Sequence, residues 1–214
     1  MHIPDGFVAP VVYLPAIALA VPAWALALRR LRSRLRDEAI PRLAVLTALA
    51  FVLSTLMIPL PGGTSAHLSG VPLLALLFGV GAAFLAYSVV LVLQLFLFGA
   101  GGVTVLALNA LLLGLCGAAA ARALFRLLVR RHEATAVLVA SGGAVLVSAA
   151  LIALVLGAQP LLAHDAGGQP LFFPFGFSVT LPAVLLPHLA IAAGEAALTW
   201  FIWRHARQRG WVTP

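Results

Sequence analysis

This chain confines nearly all of its positive charge to three short arginine clusters, each set behind a long apolar run. The runs fill 8–28, 43–60, 71–98, 103–121, 134–157 and 179–203. A water-facing surface cannot be built around them, because only 9% of the 214 residues are charged and 63% are hydrophobic, against about 25% charged in soluble domains. Crossing the hydrocarbon core takes about 20 apolar residues in a helix, and within lipid every backbone polar group must be bonded inside the protein. The pattern predicts an all-α, polytopic membrane bundle, with 1–214 a single transmembrane domain and the lipid bilayer its solvent.

The charges give this bundle an orientation. There is no lysine. Arg29, Arg30, Arg32, Arg34, Arg36 and Arg42 form the first cluster, Arg122, Arg126, Arg130 and Arg131 the second, and Arg204, Arg207 and Arg209 the third. Arginines that follow apolar runs mark cytoplasmic loops rather than a nucleic-acid surface, so no nucleic acid is expected as a partner despite the net charge of +7. With all clusters inside, the N-terminus is outside and the C-terminus cytoplasmic. The polar stretch 61–70, PGGTSAHLSG, and the glycine break 99–102 both fall outside. The run 71–98 must then enter and leave by one face. Gly79 and Gly81 mark the bend, giving two helices, the first short, and about seven in all. Pro10, Pro15 and Pro22 predict a kinked first span, and MHIPDG lacks the basic start of a secretory signal, so that span is expected to remain. Ala16 and Ala20, and Ala44 and Ala48, stand at the small-residue spacing that permits close helix approach, within the bundle or against a partner. The single Cys116 cannot form an internal disulfide and reads as a small buried residue.

Several chemistries are excluded. Without lysine there is no phosphate-binding loop of the GxxxxGK type, and no HExxH motif is present. The most informative residue is His2. A histidine in second position offers one metal ion the Met1 amine, its own deprotonated backbone nitrogen and its imidazole, closing two fused chelate rings. Three coplanar nitrogens favour square-planar Ni(II) or Cu(II). His67, in the glycine-rich stretch on the same outer face, is placed to supply a fourth. His132 and His205 adjoin arginine clusters and read as solvated. His164, beside Asp165, reads as solvated or as a ligand on the access route. His188 and Glu195 share a helix face within a span, where ionisable residues are costly and usually paired or functional; mutual pairing, directly or through water, is expected. Asn109 either bonds a neighbouring helix or lines the pocket.

MHIPDGF, PGGTSAHLSG, LFGAGGVTVLALN and PHLAIAAGEAALT, in that order along the whole chain, resemble the CbiM/NikM family, the cobalt/nickel substrate-binding membrane (S) components of energy-coupling-factor transporters. Where the family pattern has a second asparagine three residues after Asn109, this chain has Leu112. The resemblance implies capture of Ni(II) or Co(II) as transported substrate by the Met1 amine, both nitrogens of His2 and the His67 imidazole, with Met1 retained. It implies a multi-pass protein of the cell inner membrane, without enzymatic activity or organic cofactor. Its implied partners are a transmembrane coupling subunit, cytoplasmic ATPase subunits and a small accessory membrane subunit. The Ala44–Ala48 face resembles the surface such subunits turn to the coupling subunit. Two rival readings are a metal-dependent membrane enzyme built on His188 and Glu195, and a structural or signalling membrane protein without a ligand. Both predict that His2 and His67 are replaceable. Cobalt and nickel are not distinguished by the residues.

Overall fold

Prolines and glycines set the boundaries of the helices. The computed structural model describes residues 2–34, 38–59 and 65–211; Met1, Arg36 and 60–64 lie outside the described residues. Helix α1 (Pro10–Arg34) starts two residues into the apolar run, because proline at the first helical position gives up only an N–H that had no helical partner. Pro15 and Pro22 lie inside it. Helix α2 (Ala39–Thr55) stops short of the end expected for its run. Instead Ile58–Pro59 forms a strand, β1, paired antiparallel with β2 (Ser65–Ala66) in the register Ile58 to Ala66 and Pro59 to Ser65. The cause is local: a residue before proline is pushed out of the helical region, and Ile58 precedes Pro59.

The expected split of 71–98 is present. Helices α3 (Val71–Phe78) and α4 (Val80–Phe98) meet at Gly79, with φ +89°, a conformation that glycine adopts without steric cost. Helix α5 (Leu106–Leu128) contains a π-helical segment, Ala110–Cys116. Helix α6 (Glu133–Gly157) is followed by a single turn, Gln159–Leu162, and α7 (Phe177–Gln208) carries Pro182 and Pro187 inside it. The described residues thus hold seven principal helices with α3 the short one. Five segments are long and apolar enough to cross a membrane, and α2 is a shorter apolar helix. All three arginine clusters differ from the loops expected for them: Arg29, Arg30, Arg32 and Arg34 ride on α1 and Arg42 on α2. Arg122 and Arg126 ride on α5, and Arg204 and Arg207 on α7. Arginine is a good helix former, and nothing obliges a helix to stop where the apolar run does.

Helix α6 packs along α7, so closely that a side chain at Gly142 would meet the Ala192 carbonyl at 3.2 Å. Polar links join the helices sparsely. Trp24 Nε1 donates to Ser88 Oγ (2.8 Å) between α1 and α4, and Gln94 Nε2 to Ser54 Oγ (2.9 Å) between α4 and α2. At the arginine end, Glu133 accepts from Trp203 Nε1 (2.9 Å) and pairs with Arg207. The outer surface is apolar: Leu19, Phe96, Leu127, Leu186 and Phe201 all face outward. Ala16 and Ala20 are buried in the bundle, whereas Ala44 and Ala48 line an open apolar trough between α1 and α2, floored by α4.

Candidate metal centre

Two chain segments far apart in sequence converge at one end of the bundle. The first is the N-terminal segment, held by seven hydrogen bonds to other elements. The Asn109 side chain accepts from the Ile3 N–H (3.0 Å) and donates to the Ile3 carbonyl (2.9 Å). The Asp5 carboxylate accepts from the N–H groups of Val103 (2.8 Å) and Thr104 (2.9 Å) and from the Thr104 hydroxyl. Gln159 Oε1 accepts from the Ala9 N–H (2.9 Å), and the Phe173 N–H reaches the Phe7 carbonyl (3.2 Å). Partial burial pushes the Asp5 carboxyl up, but the Thr104 hydroxyl and the backbone N–H groups outweigh it and hold the group below its ordinary value.

The glycine break 99–102 makes room for this segment. A side chain at Gly101 would stand 3.5 Å from His2 Cβ and 3.7 Å from Asn109 Nδ2, and one at Gly102 would overlap Asp5. Gly101 also needs a φ of +88°. Asn109 itself sits where α5 turns π-helical, a distortion that often marks functional positions.

The second segment carries His67. The β1–β2 ribbon ends at Ala66, and α3 begins at Val71. His67 lies between these two fixed elements. Its ring centroid stands 4.7 Å from that of His2, with the planes tilted by 34°. Both residues are buried, His2 4% and His67 1% exposed. Burial, the largest influence, holds both imidazoles well below the ordinary histidine value, so both are neutral. His67 Nδ1 lies 2.9 Å from the Leu68 carbonyl. A carbonyl only accepts, so Nδ1 carries the proton and Nε2 holds a free lone pair.

That lone pair has no partner in the protein, and neither nitrogen of the His2 ring has one. An unsatisfied buried polar group costs about 1–3 kcal/mol. Of these three nitrogens on two adjacent neutral rings, one of the His2 pair carries a proton, so two lone pairs, one on each ring, are open to an electrophile. Among the described residues no group of three or more His, Cys, Asp or Glu could hold a metal ion, so further donors would have to come from backbone nitrogen or from outside these side chains. A cleft lined by His2, Pro4, Met57, Ser65 and Gly101 opens beside the rings.

The structure brings His2, His67 and Asn109 together; Met1 lies outside the described residues. His164 is exposed in a loop closed by its bridge to Pro170, with no contact to either ring among the described residues. His132 and His205 are exposed at the opposite end, beside the arginines. His188 and Glu195 make no direct hydrogen bond to each other. His188 Nδ1 bonds the Val184 carbonyl (2.7 Å) one turn back, while both Glu195 oxygens are taken by the backbone N–H groups of Ser69 (2.7 Å) and Gly70 (2.8 Å). A shared helix face places two side chains on one stripe, but stronger donors on the next segment claimed the carboxylate. Sequence reasoning also missed Asp5 and Gln159. Their signal was scarcity: the chain has only six acidic residues, and one of them stands in the N-terminal motif.

The family model described as "CbiM: Cobalt uptake substrate-specific transmembrane region" matches residues 2–211. The fused nickel transport protein NikMN of Rhodobacter capsulatus is 38% identical over 206 residues, covering 93% of this chain and 59% of that protein. The LarMN protein of Lactiplantibacillus plantarum, named a probable fused nickel transport protein, is 34% identical over 212 residues, covering 97% of this chain and 65% of its own length. The chain therefore spans about three fifths to two thirds of the length of these relatives. A crystal structure described as a truncated transition metal transporter superposes with a TM-score of 0.93 at 30% identity, covering 98% of this chain and 99% of that one.

Proposed function

The chain belongs to the CbiM family, whose defining unit is the cobalt uptake substrate-specific transmembrane region, and from that premise we propose that it is the substrate-capture subunit of an ATP-driven importer for Ni(II) or Co(II). The observation that carries this reading is the pair of buried, neutral imidazoles at 4.7 Å with three ring nitrogens unpartnered. Four nitrogens complete the site in this reading: the Met1 amine, the His2 backbone nitrogen, the His2 ring and the His67 ring. Such a nitrogen plane replaces the water shell of a divalent ion and suits the late first-row metals, nickel above cobalt in intrinsic affinity. The ion is substrate, taken from the outer face through the cleft beside His2.

The same proposal extends to the assembly. The chain acts as one membrane unit of 1–214 in the cell inner membrane, and is no enzyme by itself. A transmembrane coupling subunit, cytoplasmic ATPase subunits and a small accessory membrane subunit supply the work of transport. The fused names of its relatives support a second component working beside this one, and the missing GxxxxGK motif supports a separate source of ATP hydrolysis.

The test is metal titration of purified protein carrying a free N-terminus. The parent is expected to bind one Ni(II) tightly. One residue inserted before His2 enlarges a chelate ring and displaces the amine, and should abolish tight binding without removing a side chain. His2→Ala and His67→Ala should do the same, while His132→Ala and His205→Ala bind as the parent does. Undiminished binding by the extended protein would overturn the chelate and leave His67 with other loop donors as the site.

A further inference from the structure

The metal reading leaves one costly feature unused. Glu195 is fully buried on α7, and no salt bridge reaches it among the described residues. An isolated buried carboxylate is expensive, so its two hydrogen bonds must matter. They go to consecutive amides, Ser69 N–H at 2.7 Å to Oε2 and Gly70 N–H at 2.8 Å to Oε1. The Ser69 hydroxyl oxygen accepts the Val71 N–H at 3.2 Å. Acceptor-only oxygens opposite two N–H donors suit the ionised form.

The identity of those amides connects Glu195 to the site. The Ser69 N–H belongs to the peptide unit between Leu68 and Ser69, and the carbonyl of that same unit takes the His67 Nδ1 proton at 2.9 Å. In a trans peptide the N–H and C=O point in opposite directions. The peptide therefore lies between the carboxylate on one side and the imidazole on the other. The order is Glu195 carboxylate, Leu68–Ser69 peptide, His67 Nδ1–H, with His67 Nε2 free at the far edge of the ring. Ligating histidines commonly donate their second N–H to a carboxylate or carbonyl, which fixes tautomer and orientation and raises ligand basicity. Here a carbonyl does so directly, and a carboxylate polarises it through the peptide. Gly70 completes the grip: it takes a φ of +69°, and a side chain there would come within 2.8 Å of Ala50 Cβ on α2.

We propose that Glu195 is a positioning residue for the metal site, holding the Leu68–Ser69 peptide so that His67 presents Nε2 to the ion in one tautomer and one orientation. This rests on the reading of His67 as a ligand. Glu195→Gln keeps the size but loses the charge, and sets an NH₂ donor against one of the two amides. Glu195→Asp keeps the charge with a shorter reach. Thr199→Val, one turn further along the buried face of α7, controls for general loosening of that helix.

Ni(II) titration and the visible spectrum of the Ni(II) complex, which reports coordination geometry, are read on all three, with folding checked by gel filtration. Glu195→Gln should weaken Ni(II) binding about 10- to 100-fold and shift the spectrum. Glu195→Asp should fall between it and the parent, and Thr199→Val should match the parent. Parent-like affinity and spectrum in Glu195→Gln would overturn the proposal, as would an equal loss in Thr199→Val or an Asp variant no better than Gln. If His67→Ala itself binds as the parent does, the ligand reading fails along with it. If His67→Ala loses binding and Glu195→Gln does not, only the positioning role fails.

Discussion

At the scale of single residues, the candidate site rests on two buried neutral imidazoles with ring nitrogens that have no partner in the protein. Burial holds the His2 and His67 imidazoles well below the ordinary histidine value, which is about 6.5. The sign follows from proton counting: below that value the unfolded chain takes up protons that the folded one refuses, so stability rises with pH. The contribution is fully present above about pH 6.5 and is lost as pH falls from there towards the lowered native values. Thermal unfolding of the metal-free protein between about pH 8 and 5 should decline more steeply for the parent than for the His2→Ala/His67→Ala double variant; equal slopes would contradict the burial argument. Asn109 anchors the N-terminal segment, with both amide ends on Ile3. Asn109→Leu strands two buried backbone groups, at a cost of about 1–3 kcal/mol each. It is expected to weaken Ni(II) binding by about tenfold or more, and parent-like titration of a folded Asn109→Leu protein would show that the anchor is dispensable.

At the scale of elements, short irregular pieces position what the long helices cannot. The β1–β2 ribbon and the N-terminus of α3 bracket His67, and the 99–102 glycines let the N-terminal segment pass between α4 and α5. Gly102 is needed for space rather than for dihedral freedom, since a side chain there would overlap Asp5, including its backbone nitrogen at 2.5 Å. Gly102→Ala should cost about 1–3 kcal/mol of stability, as overpacking does, and should impair metal binding as well by displacing the segment that carries His2. A Gly102→Ala protein with parent-like melting and Ni(II) affinity would mean the segment tolerates a different path.

At the scale of the whole molecule, the apolar exterior and the charged end make a statement about the membrane. All three arginine clusters lie on the cytoplasmic side if the positive-inside pattern holds, with His2 and His67 outside. A cysteine at Ser65 should then react with an impermeant thiol reagent in intact cells and one at Ser33 should not; labelling at Ser33 would reverse the orientation and close the outer route to the metal site. A further consequence of the missing GxxxxGK motif is that the purified chain alone should show no ATP turnover, and steady hydrolysis above a no-protein control would remove the need for ATPase partners.

The apolar runs and arginine spacing were enough to specify the all-α bundle, the split at Gly79 and the short α3, because lipid imposes span length and internal hydrogen bonding on any sequence. That His2 and His67 lie at one end of the bundle was also legible, since the arginine spacing puts both on the same outer face. Tertiary structure decided the rest. Glu195 and His188 share one stripe of α7, and sequence periodicity paired them; the fold brought the Ser69 and Gly70 amides to the carboxylate instead. Asp5, Asn109 and Gln159 each bond backbone groups at least 98 residues away, and no local pattern encodes a contact of that separation. Helical spacing tells which side chains lie on the same face, but which backbone amide faces them depends on how the whole bundle packs.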